Sequence, residues 1–437
     1  MRISTSMIYD NGVAGMQQSM SKQVKLQNQL ATGQRLVTPS DDPIAAASIL
    51  DVKQSKAIND QLRINADSAK LQLELEESAL ADATSLLQNA KTLAVYAGNA
   101  GLTNSDRASI ATELQSQYEQ LLAIANRGDG NGQFLFSGFQ GATQPFSESS
   151  PGSVVYAGDS GQRLVQIGST RNITSSDSGE AVFRAIKNGN GVFASVVVPS
   201  NTGTGIIETG IVTDPSKWNS AANSKNFTIV FDALPGMGPV GTTYDIIDNV
   251  NGVSLLTGAA PGAAPYPRAY VSGSTISLKT ESPPDTNPVP FDFGATIAIS
   301  GTPELGDSFS VEASTNEDIF STLHGLITAL KSGITASAPV TTAVYQNSLN
   351  SAMSGLDNAL NNVLRVRADL GARLKEVDTA QGTSDDLSLQ YAKTLSGMQD
   401  LDYAKAISDL NAQQVYLQAA QQAFLKITSL SLFGMLS

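Results

Sequence analysis

At 437 residues, with 41% hydrophobic but only 6% aromatic and 15% charged side chains, the chain has the material for two or three packed domains and an uncharged polar surface. A net charge of −13 and a pI near 4.6 supply no basic footprint to neutralise phosphates, which excludes nucleic acid and disfavours anionic membrane surfaces. There is no cysteine, so disulfides, thiolate metal sites and cysteine nucleophiles are excluded.

The first residues, MRISTSMIYDNGVAGMQQSM, hold one early arginine and no continuous apolar core, so a cleaved secretory leader is not expected. No apolar run reaches the roughly 18–20 residues that span a bilayer. The period is helical from about residue 6 to 126. Val13, Met16, Met20, Gln23, Gln27 and Leu30 form a first stripe at alternating three- and four-residue spacing. A longer stripe runs Leu62, Ala66, Ala69, Leu73, Glu76, Leu80, Ala83, Leu87, Ala90, Ala94, and a third runs Ile110, Leu114, Gln117, Leu121, Ile124. Such spacing predicts helices packed on helices in coiled-coil fashion. One helix over 43–98 would be roughly 80 Å long on the usual helical rise.

Between the first two stripes stands ATGQRLVTPSDDPIAAA. Gly33 suits the left-handed position after a helix end, and Pro39 biases Thr38 away from helix. Asp42 is a good N-cap, Pro43 fits the first helical turn, and Asp41 places negative charge at the positive end of the helix dipole. The segment Gly33, Arg35, Pro39, Ser40, Asp41, Asp42, Pro43 therefore reads as a corner between a terminal helix and a long rod, with its aspartates as caps and not as metal ligands.

Residues 141–315 are rich in Gly, Pro, Ser and Thr and carry strand-like runs: SVVYAG, RLVQIG, FASVVVP, NFTIVFDAL, TISLKT, ATIAIS and DSFSVEA. The reading is an all-β insertion, which the proline-rich pieces PGAAPYPRAY and SPPDTNPVP divide into two lobes. The helical period returns from about 316 to 431. Leu360, Val363, Arg367, Leu370, Leu374 and Val377 form one stripe, and Tyr403, Ile407, Leu410, Gln414, Leu417, Gln421 and Phe424 form the last. Glutamines at seam positions in both terminal stripes lower stability and can specify a partner. Either these stripes are partly solvent-exposed, or the chain ends pair fully only in an assembly; the second reading predicts that residues 1–40 and 395–437 are mobile in an isolated monomer.

Catalytic chemistry has little to stand on. The one histidine, His324 in STLHGLITAL, reads as an ordinary helix residue, with neither a GxSxG elbow nor HExxH in the chain. A calcium loop starting at Asp129 in GDGNG would want carboxylates where Asn131 and Gln140 stand, so GDGNG reads as a turn. No enzyme, metal or cofactor is expected.

Three motifs in order resemble the bacterial flagellin superfamily and, within it, the hook–filament junction family (flagellar hook-associated protein 3). The first is LATGQRLVTPSDDPIAAA. The second is the F-L-F-S-G segment, Phe134, Leu135, Phe136, Ser137 and Gly138. The third is the S-x-x-x-D-x-D-Y-A pattern at Ser396, Asp400, Asp402, Tyr403 and Ala404. The resemblance covers roughly 1–150 and 340–437 and is diffuse between them. It implies an α+β, flagellin-like fold: 1–42 and 384–437 as the two halves of an inner coiled coil, 43–140 and 316–383 as a helical rod, and 141–315 as an outward-facing β insertion. It also implies a structural, extracellular role in the flagellum after unfolded export through the flagellar type III apparatus with a cytosolic chaperone. The implied partners are further copies of the chain, the hook-side junction protein (hook-associated protein 1) and flagellin, with no nucleic acid and no membrane insertion. Filament flagellin shares the architecture, but typically has a different corner and usually lacks F-L-F-S-G. A coiled-coil adhesin or a glycan-active β-domain protein is a more distant alternative.

Overall fold

The computed structural model describes residues 5–233, 242–261, 266–334 and 339–436. Helices α1 (Thr5–Thr32), α2 (Pro43–Ala97) and α3 (Asn104–Ala125) come first. A single turn, α4 (Pro215–Trp218), lies within the β region, and α5 (Ile319–Ser332), α6 (Pro339–Gln399) and α7 (Tyr403–Leu436) close the chain. The chain divides into two compact units, one of Met1–Asp67, Gln166–Arg171 and Asp378–Ser437, the other of Ser68–Val165 and Asn172–Val377.

In the second unit α2 is held by the stripe that its sequence spells. Ala69, Leu73, Glu76, Leu80, Ala83, Leu87, Ala90 and Ala94 are all at most 1% exposed. Small alanines every third or fourth residue let helices approach closely, and the leucines between them fill the gaps. On α6, Val363, Leu370 and Val377 are buried, and Arg367 of the same stripe reaches Glu77 of α2 at 2.6 Å. Helix α3 starts on a reciprocal capping box between Thr103 and Asp106, and α5 starts on Asp318, whose carboxylate accepts the Ser321 N–H at 2.7 Å.

The insertion begins with β1 (Phe146–Ser150) and β2 (Ser153–Tyr156), an antiparallel hairpin, followed by β3 (Leu164–Gln166), β4 (Asn172–Thr174), a π-helical turn at Glu180–Arg184, and β5 (Ile186–Lys187). Then come β6 (Phe193–Val197), β7 (Ile206–Ile207), β8 (Ile211–Val212), β9 (Asn226–Ala233), β10 (Thr242–Asp248), β11 (Val253–Ser254), β12 (Arg268–Ala269), β13 (Thr275–Lys279), β14 (Asp292–Ser300), β15 (Ser308–Ala313) and β16 (Asn316–Glu317). One sheet runs β11-β10-β9-β15-β6, with β12 also on β10. A second runs β13-β14-β7, with β8 also on β14. Alternate residues of both sheets, among them Phe227, Ile229 and Phe231 of β9 and Ile297 and Ile299 of β14, point into one shared core. Strand β10, TTYDIID, was not expected, because Asp245 in its middle argues against a strand. Asp245 is buried, and its carboxylate accepts the Ser254 hydroxyl at 2.7 Å.

The proline-rich pieces do not divide the insertion into two lobes, contrary to the sequence expectation. Arg268 of the first and Asp285 of the second form a buried bidentate pair at 2.9 and 2.7 Å, and Arg268 also donates to the Ser277 and Lys279 carbonyls. Tyr270 and Phe291 pack on the same core as both sheets. Local composition reads as linker, whereas the ion pair that makes it core spans 17 residues.

Glu76, in the middle of the α2 stripe, faces the loop ahead of the π-helical turn. Its carboxyl oxygens lie 3.2 and 3.3 Å from the Asp177 N–H, and Asp177 is itself paired with Arg373 of α6. Burial, and then the neighbouring Asp177 carboxylate, push the Glu76 carboxyl well above its ordinary value, against the pull of Arg373. The folded chain therefore holds a proton that the unfolded chain releases, and stability falls as pH climbs from the unfolded value of 4.5 through the raised one. Glu76→Gln keeps the shape without the charge. It should flatten this dependence and raise the thermal unfolding midpoint at pH 8 by a few degrees, as read by circular dichroism from pH 5 to 8.

Candidate functional site: the paired chain-end corners

Two sequence motifs more than 360 residues apart form one site in the first unit. Helix α1 ends at Thr32, and Gly33 turns the chain at φ +69°. The Gly33 carbonyl accepts the Leu401 N–H at 3.0 Å, and the Arg35 N–H donates to the Gln399 carbonyl at 2.8 Å, so Gln34 and Asp400 stand opposite each other as an antiparallel bridge. The Arg35 guanidinium donates to the Met398 carbonyl at 3.0 Å and lies 3.9 Å from Asp42, an exposed pair. Tyr403 covers the corner: a Cβ at position 33 would sit 2.7 Å from its hydroxyl oxygen.

Each corner is also closed locally. Thr38 and Asp41 exchange hydrogen bonds, with the Asp41 N–H on the Thr38 carbonyl and the Thr38 N–H on the Asp41 carboxylate. Ser40 meets the Thr38 hydroxyl at 2.9 Å. The Asp42 carboxylate accepts the Ala45 N–H at 3.0 Å ahead of Pro43, the first residue of α2. Asp41 also turns back to α1, where Lys25 approaches it at 2.8 Å. The Lys25 and Thr38 hydrogen bonds hold the Asp41 carboxyl below its ordinary 3.8. Its contribution is therefore complete above that value and fades as pH falls through the depressed one. In the other corner Ser396 binds the Asp400 carboxylate, and Asp402 accepts the Lys405 N–H at 3.1 Å at the start of α7, beside Ala404.

Helices α1 and α7 pair through one column of the stripes read in the sequence, with the other column shifted by one residue. Val13, Met16, Gln23 and Leu30 of α1 are half-buried, together with Ser19 and Leu26, whereas Met20 and Gln27 are exposed. On α7, Leu410, Leu417 and Phe424 are half-buried with Gln413 and Ala420, Ala406 is buried, and Tyr403, Ile407, Gln414 and Gln421 are exposed. Gln413 donates to the Ser19 carbonyl at 3.3 Å, and Phe424 tilts against Tyr9 at 5.0 Å. Adjacent phases of a three-four repeat are hard to tell apart when glutamine, alanine and serine fill both.

The F-L-F-S-G segment belongs to the second unit. Phe136 is fully buried and meets Phe183 edge-to-face at 5.1 Å, and its carbonyl accepts the Gly179 N–H and the Tyr156 hydroxyl. Leu135 and Ser137 are buried beside it, and the Ser137 hydroxyl donates to the Phe134 carbonyl. Gly138, at φ +70°, leaves no room for a Cβ against Asp159. Sequence reading missed the asparagines of α6. Asn347 brackets Gly205 and Ile207, Asn358 donates to the Lys187 and Gly189 carbonyls, and Asn362 donates to those of Ala181 and Val182. Their spacing, eleven and then four residues, puts all three on one helix face. That spacing was the signal available. Among the described residues no cluster of side chains could hold a metal, and no helix is long and apolar enough to cross a membrane.

Residues 3–141 match the bacterial flagellin N-terminal helical region, and residues 353–436 match the bacterial flagellin C-terminal helical region. The chain has the flagellin-like architecture of terminal helices around a β-rich middle. It is 27% identical to the flagellar hook-associated protein 3 of Salmonella typhimurium over 433 residues, 99% of each chain. The crystal structure of flagellar hook-associated protein 3 from Legionella pneumophila matches with 32% identity and a TM-score of 0.70, over 80% of this chain and 98% of that one. That of the flagellar junction protein FlgL from Legionella pneumophila matches with 31% identity and a TM-score of 0.66, over 82% and 100%. The chain belongs to the flagellar hook-associated protein 3 family and is a structural component of the flagellum.

Two substitutions probe the corner. Gly33→Ala strains a left-handed position and crowds Tyr403, and should cost about 1–2 kcal/mol; adding Tyr403→Phe removes the crowding oxygen and should return part of that loss in urea unfolding. Asp42→Ala should cost about 1 kcal/mol as a lost cap. Metal-dependent stabilisation of the wild type that Asp42→Ala abolishes would overturn the capping account.

Proposed function

We propose that copies of this chain assemble as a ring at the hook–filament junction, between the hook-side junction protein (hook-associated protein 1) and the first flagellins. The role is structural and not catalytic. The observation that carries this reading is the poverty of burial in the first unit. Among its described residues Ile49, Ala66, Ile167 and Ala406 are the buried hydrophobics. Met20, Val24, Ile44, Leu50, Ile407 and Tyr416 are large, apolar and exposed. Short of neighbours, such helices bury too little to offset the entropy of ordering them, and neighbouring copies would complete the contact. The likeness to the flagellar junction protein FlgL from Legionella pneumophila supports the location.

On this reading residues 1–42 and 384–437 form the inner coiled coil, 43–140 and 316–383 the rod around it, and 141–315 the outer face. The corner built on Gly33, Asp42 and Asp402 sets the angle at which the terminal helices leave the rod. The chain travels unfolded through the flagellar type III export apparatus, its C-terminal segment held by a cytosolic chaperone, and works outside the cell.

Two measurements test this. Immunogold electron microscopy with antibody to residues 145–310 should label one band where hook meets filament, and label along the whole filament would make the chain a flagellin. In a proven monomer, hydrogen–deuterium exchange should be fast across 7–32 and 403–426 and slow across 69–94. Strong protection of the terminal helices there would count against completion by neighbours.

A further inference from the structure

The β insertion has an edge that the described residues leave unpaired. Among the described residues, strand β6 is the last strand of its sheet and pairs with β15 alone. The Val192 carbonyl accepts from Ser314 and the Val198 N–H donates to Ser308, so the main-chain groups of Ala194 and Val196 also face β15. Those of Ser195 and Val197 face the other way, where no described backbone group meets them. They open into a cleft of about 510 Å³ that is also lined by β7, α5 and α6. The Ser195 hydroxyl is buried there without a hydrogen-bond partner.

The cleft is negative. Glu317 and Glu208 line it, and among the described residues its lining includes no lysine, arginine or histidine. Glu317 is half-buried, and its contacts are the hydroxyls of Thr322 and Ser321. Burial, and next the neighbouring Asp318, raise its carboxyl above the ordinary value, as befits a carboxylate short of a counter-charge. No aromatic side chain lines the cleft either, so the stacking face that sugars favour is missing.

We propose that this cleft binds an extended peptide segment of a partner protein, which adds a strand to β6 and directs a lysine or arginine side chain at Glu317 and Glu208. Free N–H and C=O groups two residues apart on one edge call for another extended backbone. The carboxylates select its charge, and Asn201, Asn347 and Ser351 provide an uncharged polar surround. The site lies within the second unit and stands apart from the assembly role, so a monomer suffices to test it.

The probe is the peptide acetyl-Thr-Val-Lys-Val-Thr-Val-amide, titrated into the full-length chain by calorimetry. Binding is expected, with loss when glutamate replaces the peptide lysine or when alternate peptide amides are N-methylated. Glu317→Gln should weaken it about tenfold, the value of one charge-assisted contact. Ser195→Pro removes the outward N–H together with the hydroxyl, a backbone change edge strands tolerate, and should weaken binding similarly, whereas Ser195→Ala, which removes the hydroxyl alone, should weaken it less. Should Ser195→Pro fail to fold, N-methylation of the probe reports the same backbone contact on the wild type. No binding at about millimolar peptide, binding indifferent to both Glu317→Gln and N-methylation, or binding of cellotriose in place of the peptide would overturn the proposal.

Discussion

The constraint on which the rest depends is that the two ends of this chain meet. The hydrogen bonds between Gly33–Arg35 and Gln399–Leu401 close a loop of more than 360 residues. Closing so long a loop costs about 5 kcal/mol beyond a constant, whereas two backbone bonds return about 1 kcal/mol each. The corner cannot close the loop by itself. It needs the α2–α6 seam first, where Ala69 through Ala94 and Val363 through Val377 are buried and Arg367 meets Glu77. Once that seam has formed, the separation still to be closed is short, and the corner becomes affordable. Everything between the two long helices is then an excursion that must leave and return.

Neutral side chains hold part of that excursion. Asn347, Asn358 and Asn362 present amides to backbone carbonyls of the insertion, and Asn126 brackets Phe146 through both its N–H and its C=O at 2.9 Å. An amide that takes two carbonyls satisfies buried acceptors without burying a charge, so its desolvation cost is small. Where charge is buried, the partner is close: Arg268 has Asp285, and Asp177 has Arg373. Burial beside the Asp177 carboxylate pushes the Glu76 carboxyl well above its ordinary value, and so it costs the fold stability as pH rises.

What could be read from the sequence follows from how local each demand is. The α2 stripe is unambiguous because leucine and alanine hold one phase over many turns, and Ala69 to Ala94 are buried one by one. A positive φ at Gly33 and a carboxylate ahead of Pro43 are demands that single residues meet, so they sit within reach of a sequence argument. That Gly33 would receive Leu401, or Arg268 would find Asp285 across a proline-rich stretch, is information carried by no neighbouring residue. Strand β10 was hidden by Asp245, because the Ser254 hydroxyl that makes its burial tolerable lies nine residues away. The α6 asparagines were legible in principle, since their spacing is helical, but polar residues on a helix read as solvent-facing until something is placed against them.

The terminal helices differ because their sequence satisfies two phases at once. Inside the protomer α1 offers Ser19, Gln23 and Leu26, and α7 offers Ala406, Leu410 and Gln413. The neighbouring phase, with Met20 and Gln27 on one helix and Ile407, Gln414 and Gln421 on the other, is equally suited to a seam and is left outside. A monomer gains nothing from keeping both. For a subunit of the proposed ring both are needed, one to pair its own ends and one to meet the next copy. Amides and alanines in both phases weaken the inner pair and leave the outer one free to meet a like surface. The ambiguity that misplaced the stripe in the sequence is then a property of the assembly, because a helix with one unmistakable phase would have only one partner.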